Sequence, residues 1–447
     1  MCEITRRGFM VGCSGAIAGL AGSRFNTLAF AQPTADQEVL VVLFLRGGID
    51  GLSMMPPIAG TDRGHYEAAR PSLAIPASGP DAALPLDAQF GLHPTAAPLQ
   101  ELYQNGNLAL IHAAGLDEAN RSHFDAMEFM ELGTPGIKNT PTGWLTRHLQ
   151  SAAGIPAEVI MPSLAMGGNQ QASLRGDRDA VNLIDPSVFS LTTGPWRWRD
   201  AQRTALRRIY TADDSLLHVT GNKALDALDV IELYVDDNYV PANGAVYPDT
   251  GFGEHLATIA QMIKLEMGLH VATLDLGGWD THTGHSYWIP LLIGDLAEGL
   301  HAFYADLDGG GSQDFAQRLT VVVMSEFGRR LGANSDGGTD HGHGNAMMVM
   351  SGSAIGGLHG QWPGLASGQL FEGIDLAVTT DYRRVLSEIL IRRLGNNKLG
   401  VVFPGYTGYS PLGVVSGVDL PPDYGDLEIF RDGFESGDAG SWSSQSP

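Results

Sequence analysis

The residues Gly338-Thr339-Asp340-His341-Gly342-His343-Gly344 place two imidazoles and a carboxylate within one short glycine-bounded stretch. Zinc and similar divalent ions take histidine nitrogen and aspartate oxygen, and glycine lets a backbone turn tightly enough for neighbouring side chains to converge on one ion. Asp280 and His282 form a second set, separated by one residue. On an extended segment side chains alternate with period two, so this pair faces one side and suits two ligands of one ion. His285, three positions on, is expected to face water. Asp50 lies in the glycine-rich stretch Arg46-Gly47-Gly48-Ile49-Asp50-Gly51-Leu52-Ser53, and Ser122 in Asn120-Arg121-Ser122-His123-Phe124-Asp125. A serine at a helix start is either a cap or a nucleophile held where the helix dipole and Arg121 stabilise an anion.

Those groups need rigid elements behind them, and the apolar runs supply candidates. Residues 39–45, 108–112, 271–276, 319–324 and 346–350 are short, predominantly apolar runs, the first with several β-branched members. Such runs predict strands buried on both faces, as in a parallel sheet. Helical patterns follow the polar start at Asn120 and run through Leu132, and cover 196–210, 225–234, 253–267, 287–307 and 382–394. Alternation of strand and helix predicts an α/β class with a doubly wound, mostly parallel sheet flanked by helices. In open α/β sheets, ligands bind at the carboxyl ends of the strands. Asp50, Asp280, His282 and Glu326 each follow an apolar run directly, and Ser122 follows one at the next helix start. The 338–344 stretch precedes the last run.

The ends of the chain read differently. Residues 1–31 contain Thr5-Arg6-Arg7-Gly8-Phe9-Met10, a weakly apolar run and Ala29-Phe30-Ala31. That is a twin-arginine export signal with a small-residue cleavage site, predicting a periplasmic or extracellular protein handed to the twin-arginine export machinery. Cys13 lacks the apolar stretch that lipidation requires. Both cysteines lie in this leader, so disulfides and thiol chemistry are excluded from the mature chain. No later run is long enough to span a membrane. The formal net charge of −23 repels nucleic acid and anionic lipid, which removes both as partners. Residues 135–250 are rich in Pro and Gly clusters and are expected to form an insertion or cap on a domain spanning 32–412. Residues 413–447 are expected to form a flexible tail. Its Phe430-Arg431-Asp432-Gly433-Phe434-Glu435-Ser436-Gly437-Asp438 segment resembles a terminal tag of many unrelated secreted bacterial proteins.

Taken together, Arg46 to Leu52, Arg121 to Asp125, Gly277 to His282, Ser325-Glu326-Phe327-Gly328-Arg329 and Gly338 to Gly344 resemble the motifs of the DUF1501 family. Members of that family are exported by the twin-arginine route and grouped with the alkaline phosphatase and sulfatase superfamily. The resemblance implies an alkaline phosphatase-like fold with a two-metal site. By motif, Asp50, Asp340 and His341 match the ligands of one ion, and Asp280, His282 and His343 those of the other. Ser122 matches the nucleophile. Arg121 or Arg329 would neutralise substrate charge, and Glu326 would be a further ligand or orient a ligating histidine.

Two departures from the superfamily stand out. Its second-site pair is spaced Asp-x-x-x-His, whereas Asp280 and His282 are separated by one residue. Its Cys/Ser-x-Pro-x-Arg motif is missing around Ser122, which removes formylglycine chemistry. The expected activity is hydrolysis of small-molecule or glycan phosphate or sulfate esters, by a serine nucleophile and one or two divalent ions about 4 Å apart. Zinc is the first choice, with manganese and calcium as alternatives. The competing expectation is a catalytically silent envelope binding or assembly protein of the same fold. A metallopeptidase is disfavoured because no His-Glu-x-x-His helix occurs.

Overall fold

Val39–Leu45 (β1) is buried at every position, and its side chains alternate between two cores. Val39, Val41, Leu43 and Leu45 pack on one side, while Leu40, Val42 and Phe44 pack on the other. A strand with no polar face has to lie inside a sheet covered by helices on both sides. The computed structural model describes residues 37–155, 159–191, 196–213, 215–235, 238–309 and 314–425. The proposed leader, both cysteines and the terminal tag lie outside the described residues.

The other strands of the main sheet are β2 (Leu108–Gly115), β3 (Ser163–Met166), β4 (Ala180–Leu183), β5 (Val271–Leu276), β6 (Leu319–Met324), β7 (Asn345–Met350), β8 (Gly357–His359) and β9 (Thr380–Asp381). They form one nine-stranded sheet in the order β8-β2-β7-β6-β1-β5-β3-β4, with β9 also paired to β2. Only β7 runs antiparallel, against β2 on one side and β6 on the other. The protein is thus an α/β fold with a mixed, mostly parallel sheet.

Helices cover both faces of the sheet. Gly251–Lys264 and His285–Leu307 contribute to the core of one face. His123–Leu132, Trp144–Ser151 and Tyr382–Arg392 contribute to that of the other. Among the described residues no helix is long and apolar enough to cross a membrane.

Three expectations change. The helix expected at 225–234 begins nine residues earlier and spans Leu216–Tyr234, pairing with Arg199–Tyr210 through Arg203 and Arg207 to Asp226, Asp229 and Glu232. Within the stretch expected to be a cap, β3 and β4 are strands of the central sheet, because β3 pairs in parallel with β5. At the other end, residues 413–425 are not a loose continuation. Val414 and Val415 are fully buried, and the buried Glu388 carboxylate accepts the backbone N–H groups of Leu412, Gly413, Val414 and Val415 at 2.5–3.4 Å.

A carboxylate receiving four amides is a strong tie, since hydrogen bonds to charged groups contribute about 1.5–3 kcal/mol. Glu388→Gln is therefore expected to lower unfolding stability by about 2 kcal/mol in urea titration. An unchanged urea midpoint would show that the 412–415 segment is not held through this carboxylate.

Candidate metal centre

The site is assembled where the loops after β1, β5 and β6 meet the stretch leading into β7. Because β7 is antiparallel, its amino end lies at the same sheet edge as the carboxyl ends of its neighbours, so Asp340 to His343 reach the edge that carries Asp280. Two glycines make the approach possible. At Gly47 (φ +119°) a Cβ would lie 2.6 Å from the Asp280 nitrogen, and at Gly338 it would lie 2.3 Å from the Thr281 carbonyl oxygen. Neither backbone contact tolerates a side chain.

Arg329 fastens these loops together. It is 1% exposed and donates to the carbonyls of Gly48 (2.7 Å), Thr339 (2.9 Å), Trp279 (3.1 Å) and Gly47, and to Asp280 Oδ1 (2.6 Å). Its donors are used within the protein. Arg329 therefore braces the Asp280 carboxylate from behind and does not present a free guanidinium to a substrate, contrary to the expected charge-neutralising role.

Three imidazoles converge on that carboxylate. His123 Nδ1 lies 2.6 Å from Glu326 Oε1, and the buried Glu326 also accepts from the Gly47 nitrogen and Ser325 Oγ. His341 Nδ1 lies 2.8 Å from the Arg121 carbonyl, and His282 Nδ1 3.1 Å from Asp340 Oδ1, which Asn334 also contacts. Carbonyls and carboxylates only accept, so each Nδ1 carries a hydrogen, which leaves Nε2 as the atom each ring can offer to a cation. Those Nε2 atoms lie 3.4 Å (His123), 3.1 Å (His282) and 3.1 Å (His341) from Asp280 Oδ1. His282 Nε2 and His341 Nε2 are 2.9 Å apart. Two lone pairs at that distance repel unless a proton or a cation sits between them or beside them.

His123 Nε2 is buried with no hydrogen-bond partner. Among the described residues, the ligating atoms of His123, Asp280 and His341 all lie within 4.8 Å of one another.

The electrostatics favour added positive charge. Burial opposes ionisation of Asp280, but the hydrogen bond and charge of Arg329 prevail and hold its carboxyl down at about 2. The Glu326 hydrogen bond raises His123, so without a metal that ring is drawn toward taking a proton. Burial lowers His341, leaving it as a neutral donor, and the Asn334 hydrogen bond is first among the causes that lower Asp340. The Phe327 ring packs 4.8 Å from His123 and 4.9 Å from His341 between centroids, closing the inner side with apolar surface. Asp280, His282 and Asp340 keep 47, 41 and 44% side-chain exposure, so the opposite side faces solvent.

The structure does not bring all the expected residues together. Asp50 is fully buried, caps the short helix Gly51–Met54 through the nitrogens of Leu52 and Ser53, and pairs with Arg70 at 2.5 Å. Its carboxylate is committed to these partners and is not among the converging ligands. His343 is buried and stacks on Phe371 at 4.1 Å, away from the His123, Asp280 and His341 group. Arg121 contributes its carbonyl to His341, while its guanidinium is taken by Asp375 and Glu372. Ser122 is half-buried at the start of His123–Leu132 with no side-chain capping bond. His285 is buried, not solvated.

The division expected from the motifs, with Asp50, Asp340 and His341 on one ion and Asp280, His282 and His343 on another, is replaced by one group centred on Asp280. Asp340 and Glu326 stand behind its histidines. At this helix start the motif reading selects the Ser122 hydroxyl, whereas the structure brings the neighbouring His123 imidazole to the centre. The signal lay one residue further on, in an imidazole at the same helix start.

A model of the DUF1501 family, proteins of unknown function, matches residues 229–396. That span holds Asp280, His282, Glu326, Arg329, Asp340, His341 and His343, but not Asp50, Ser122 or His123. No curated protein matches the chain. Among solved structures the chain is similar to the C-terminal periplasmic domain of EcEptC from Escherichia coli in complex with Zn, at 9% identity and TM-score 0.32, over 71% of this chain and 73% of that one. It is also similar to Ps i-CgsB at 10% identity and TM-score 0.29, over 72% and 68% of the two chains.

Proposed function

We propose that this chain is an exported, metal-dependent hydrolase of phosphate or sulfate esters, an alkaline phosphatase-like enzyme whose ion is held by His123, Asp280 and His341 with His282 at its open side. One observation carries the reading. Three imidazole Nε2 atoms surround one ionised carboxylate oxygen, each with its Nδ1 hydrogen engaged by an acceptor. Ligating histidines carry this kind of outer support, which fixes the tautomer and aims the lone pair.

The orphaned His123 Nε2 and the nitrogen-rich donor set fit zinc best, with manganese, which favours oxygen donors, as the second choice. Calcium takes six to eight oxygens and is disfavoured by the same set. When bound, a divalent ion supplies Lewis acidity toward the ester oxygens and lowers the pKa of a neighbouring hydroxyl.

The chain's own groups divide the remaining work. Ser122 sits between Arg121, whose carbonyl aims His341, and His123, and its hydroxyl is not used as a cap. In this reading Ser122 Oγ attacks phosphorus or sulfur, the ester's alcohol leaves, and water then releases phosphate or sulfate from the serine. Arg329 keeps Asp280 ionised and in place. The exposed edge formed by Asp280, His282 and Asp340 leaves room for a small-molecule or glycan ester.

Purified mature protein is expected to contain zinc or manganese by elemental analysis and to hydrolyse an aryl phosphate or aryl sulfate. Ser122→Ala should retain the metal and lose turnover. Folded protein with neither metal nor turnover, after incubation with each ion, would overturn the proposal.

A further inference from the structure

We infer that Thr281 is a positioning residue for the metal centre, tied by a buried hydrogen-bond chain through His285 and Ser53 to the Asp50–Arg70 pair. The inference rests on the metal-centre reading above and deepens it. Thr281 separates Asp280 from His282, and in an extended segment the middle side chain points away from the face its neighbours share. Thr281 is 2% exposed while both neighbours reach the open side. Its hydroxyl lies 2.8 Å from His285 Nδ1, and His285 Nε2 lies 3.0 Å from Ser53 Oγ. Ser53 Oγ is 3.1 Å from Asp50 Oδ2, which receives Arg70 Nη1 at 2.5 Å.

The chemistry of the groups fixes the order of the chain. Ionised Asp50 only accepts, so Ser53 donates to it. Ser53 then accepts from His285 Nε2–H, and His285 Nδ1 accepts from the Thr281 hydroxyl.

Each link reaches a different part of the site. Asp50 caps the helix that follows β1. Arg70 also donates to the carbonyls of Arg330 and Leu331, in the segment that follows the brace Arg329. The Thr281 carbonyl accepts from Thr339 N, beside Asp340 and His341. The loops carrying Asp280, His282, Asp340 and His341 are therefore held to one buried ion pair that touches no ligand. Asp50, matched by motif to a metal ligand, acts here from beneath the site.

The test is zinc affinity, measured by competition with a chromophoric chelator, with the cobalt(II) absorption spectrum as a second readout of ligand geometry. Thr281→Val keeps the shape and removes the hydroxyl, and is expected to weaken zinc binding by about 10–100-fold, as loss of outer support does elsewhere. Thr281→Ser restores the hydroxyl and should bind within about threefold of wild type, with its cobalt spectrum. Ser53→Ala breaks the chain two bonds away and should weaken zinc in the same direction. It decides the matter alone if Thr281→Val does not fold. Wild-type affinity and an unchanged cobalt spectrum in folded Thr281→Val and Ser53→Ala would overturn this inference and leave the metal centre standing. A wild-type protein that binds no zinc or cobalt would overturn both.

Discussion

Replacing Asp280 by asparagine is expected to weaken zinc binding by more than about 100-fold, because even loss of an outer partner costs 10–100-fold and Asp280 lies at the centre of the donor set. The substitution keeps the volume and the ability to accept from Arg329, but removes the negative charge that the Nε2 atoms of three imidazoles surround. It also leaves the Arg329 guanidinium buried beside a neutral amide, so the local potential turns against a cation. Turnover of any ester that depends on the ion should fall in proportion to occupancy. Competition with a chelator measures the affinity, elemental analysis of the purified variant the occupancy, and an aryl ester assay the turnover. Full metal content and wild-type affinity in Asp280→Asn would remove Asp280 from the centre.

The second large effect is acid sensitivity of the whole fold. His93, His112 and His148 are 3, 5 and 3% exposed, and burial pushes them down to about 4, 4 and 3. In the unfolded chain they titrate near 6.5. Because the folded values are lowered, the unfolded chain takes up protons first as pH falls. Stability from this source is unaffected above about 6.5 and is lost as pH drops from there toward about 4.

Each such histidine contributes a slope of about 1.4 kcal/mol per pH unit in that window, so three give about 4 kcal/mol per unit. Against a typical total of 5–15 kcal/mol, unfolding should set in near pH 5. The Asp50–Arg70 pair acts in a separate range. Arg70 overcomes burial to hold the Asp50 carboxyl below its usual value, so that contribution is present above about 3.9 and is lost only at lower pH. Urea titrations at pH 7.5, 6 and 5 check the prediction. His112→Phe, in contact with the rings of Phe90 and Trp362, should reduce the slope by about 1.4 kcal/mol per pH unit. A stability that does not change between pH 7.5 and 5 would contradict it.

The sheet was legible because apolar run length reports burial directly. β1, β5 and β6 have the bounds expected from their runs, and β7 begins one residue earlier. The short strands β3 and β4 were not legible, since Ser163 to Met166 and Ala180 to Leu183 are brief runs in a Pro- and Gly-rich stretch and gain strand character from pairing at the sheet edge. Periodicity placed Asp280 and His282 on one side of the chain, and the structure brings both to the same centre. Asp50 shows what residue type alone leaves open. Its position after β1 suited a ligand, but Arg70, twenty residues on, pairs with it in a contact that local sequence does not encode. His285 is buried rather than solvated for the same reason, its partner Ser53 being more than two hundred residues distant in the chain.

The long span between the groups that make the centre also has a temporal meaning. His123, Asp280, His282 and His341 meet only after β1, β5, β6 and the antiparallel β7 have joined, so a chain still lacking residues 341–447 cannot offer an ion the full set of donors. Under the proposed metal-centre reading, metal retention would report completed folding, and an export route that accepts only finished proteins would take this one up with its ion in place, independent of the ion supply of the compartment beyond.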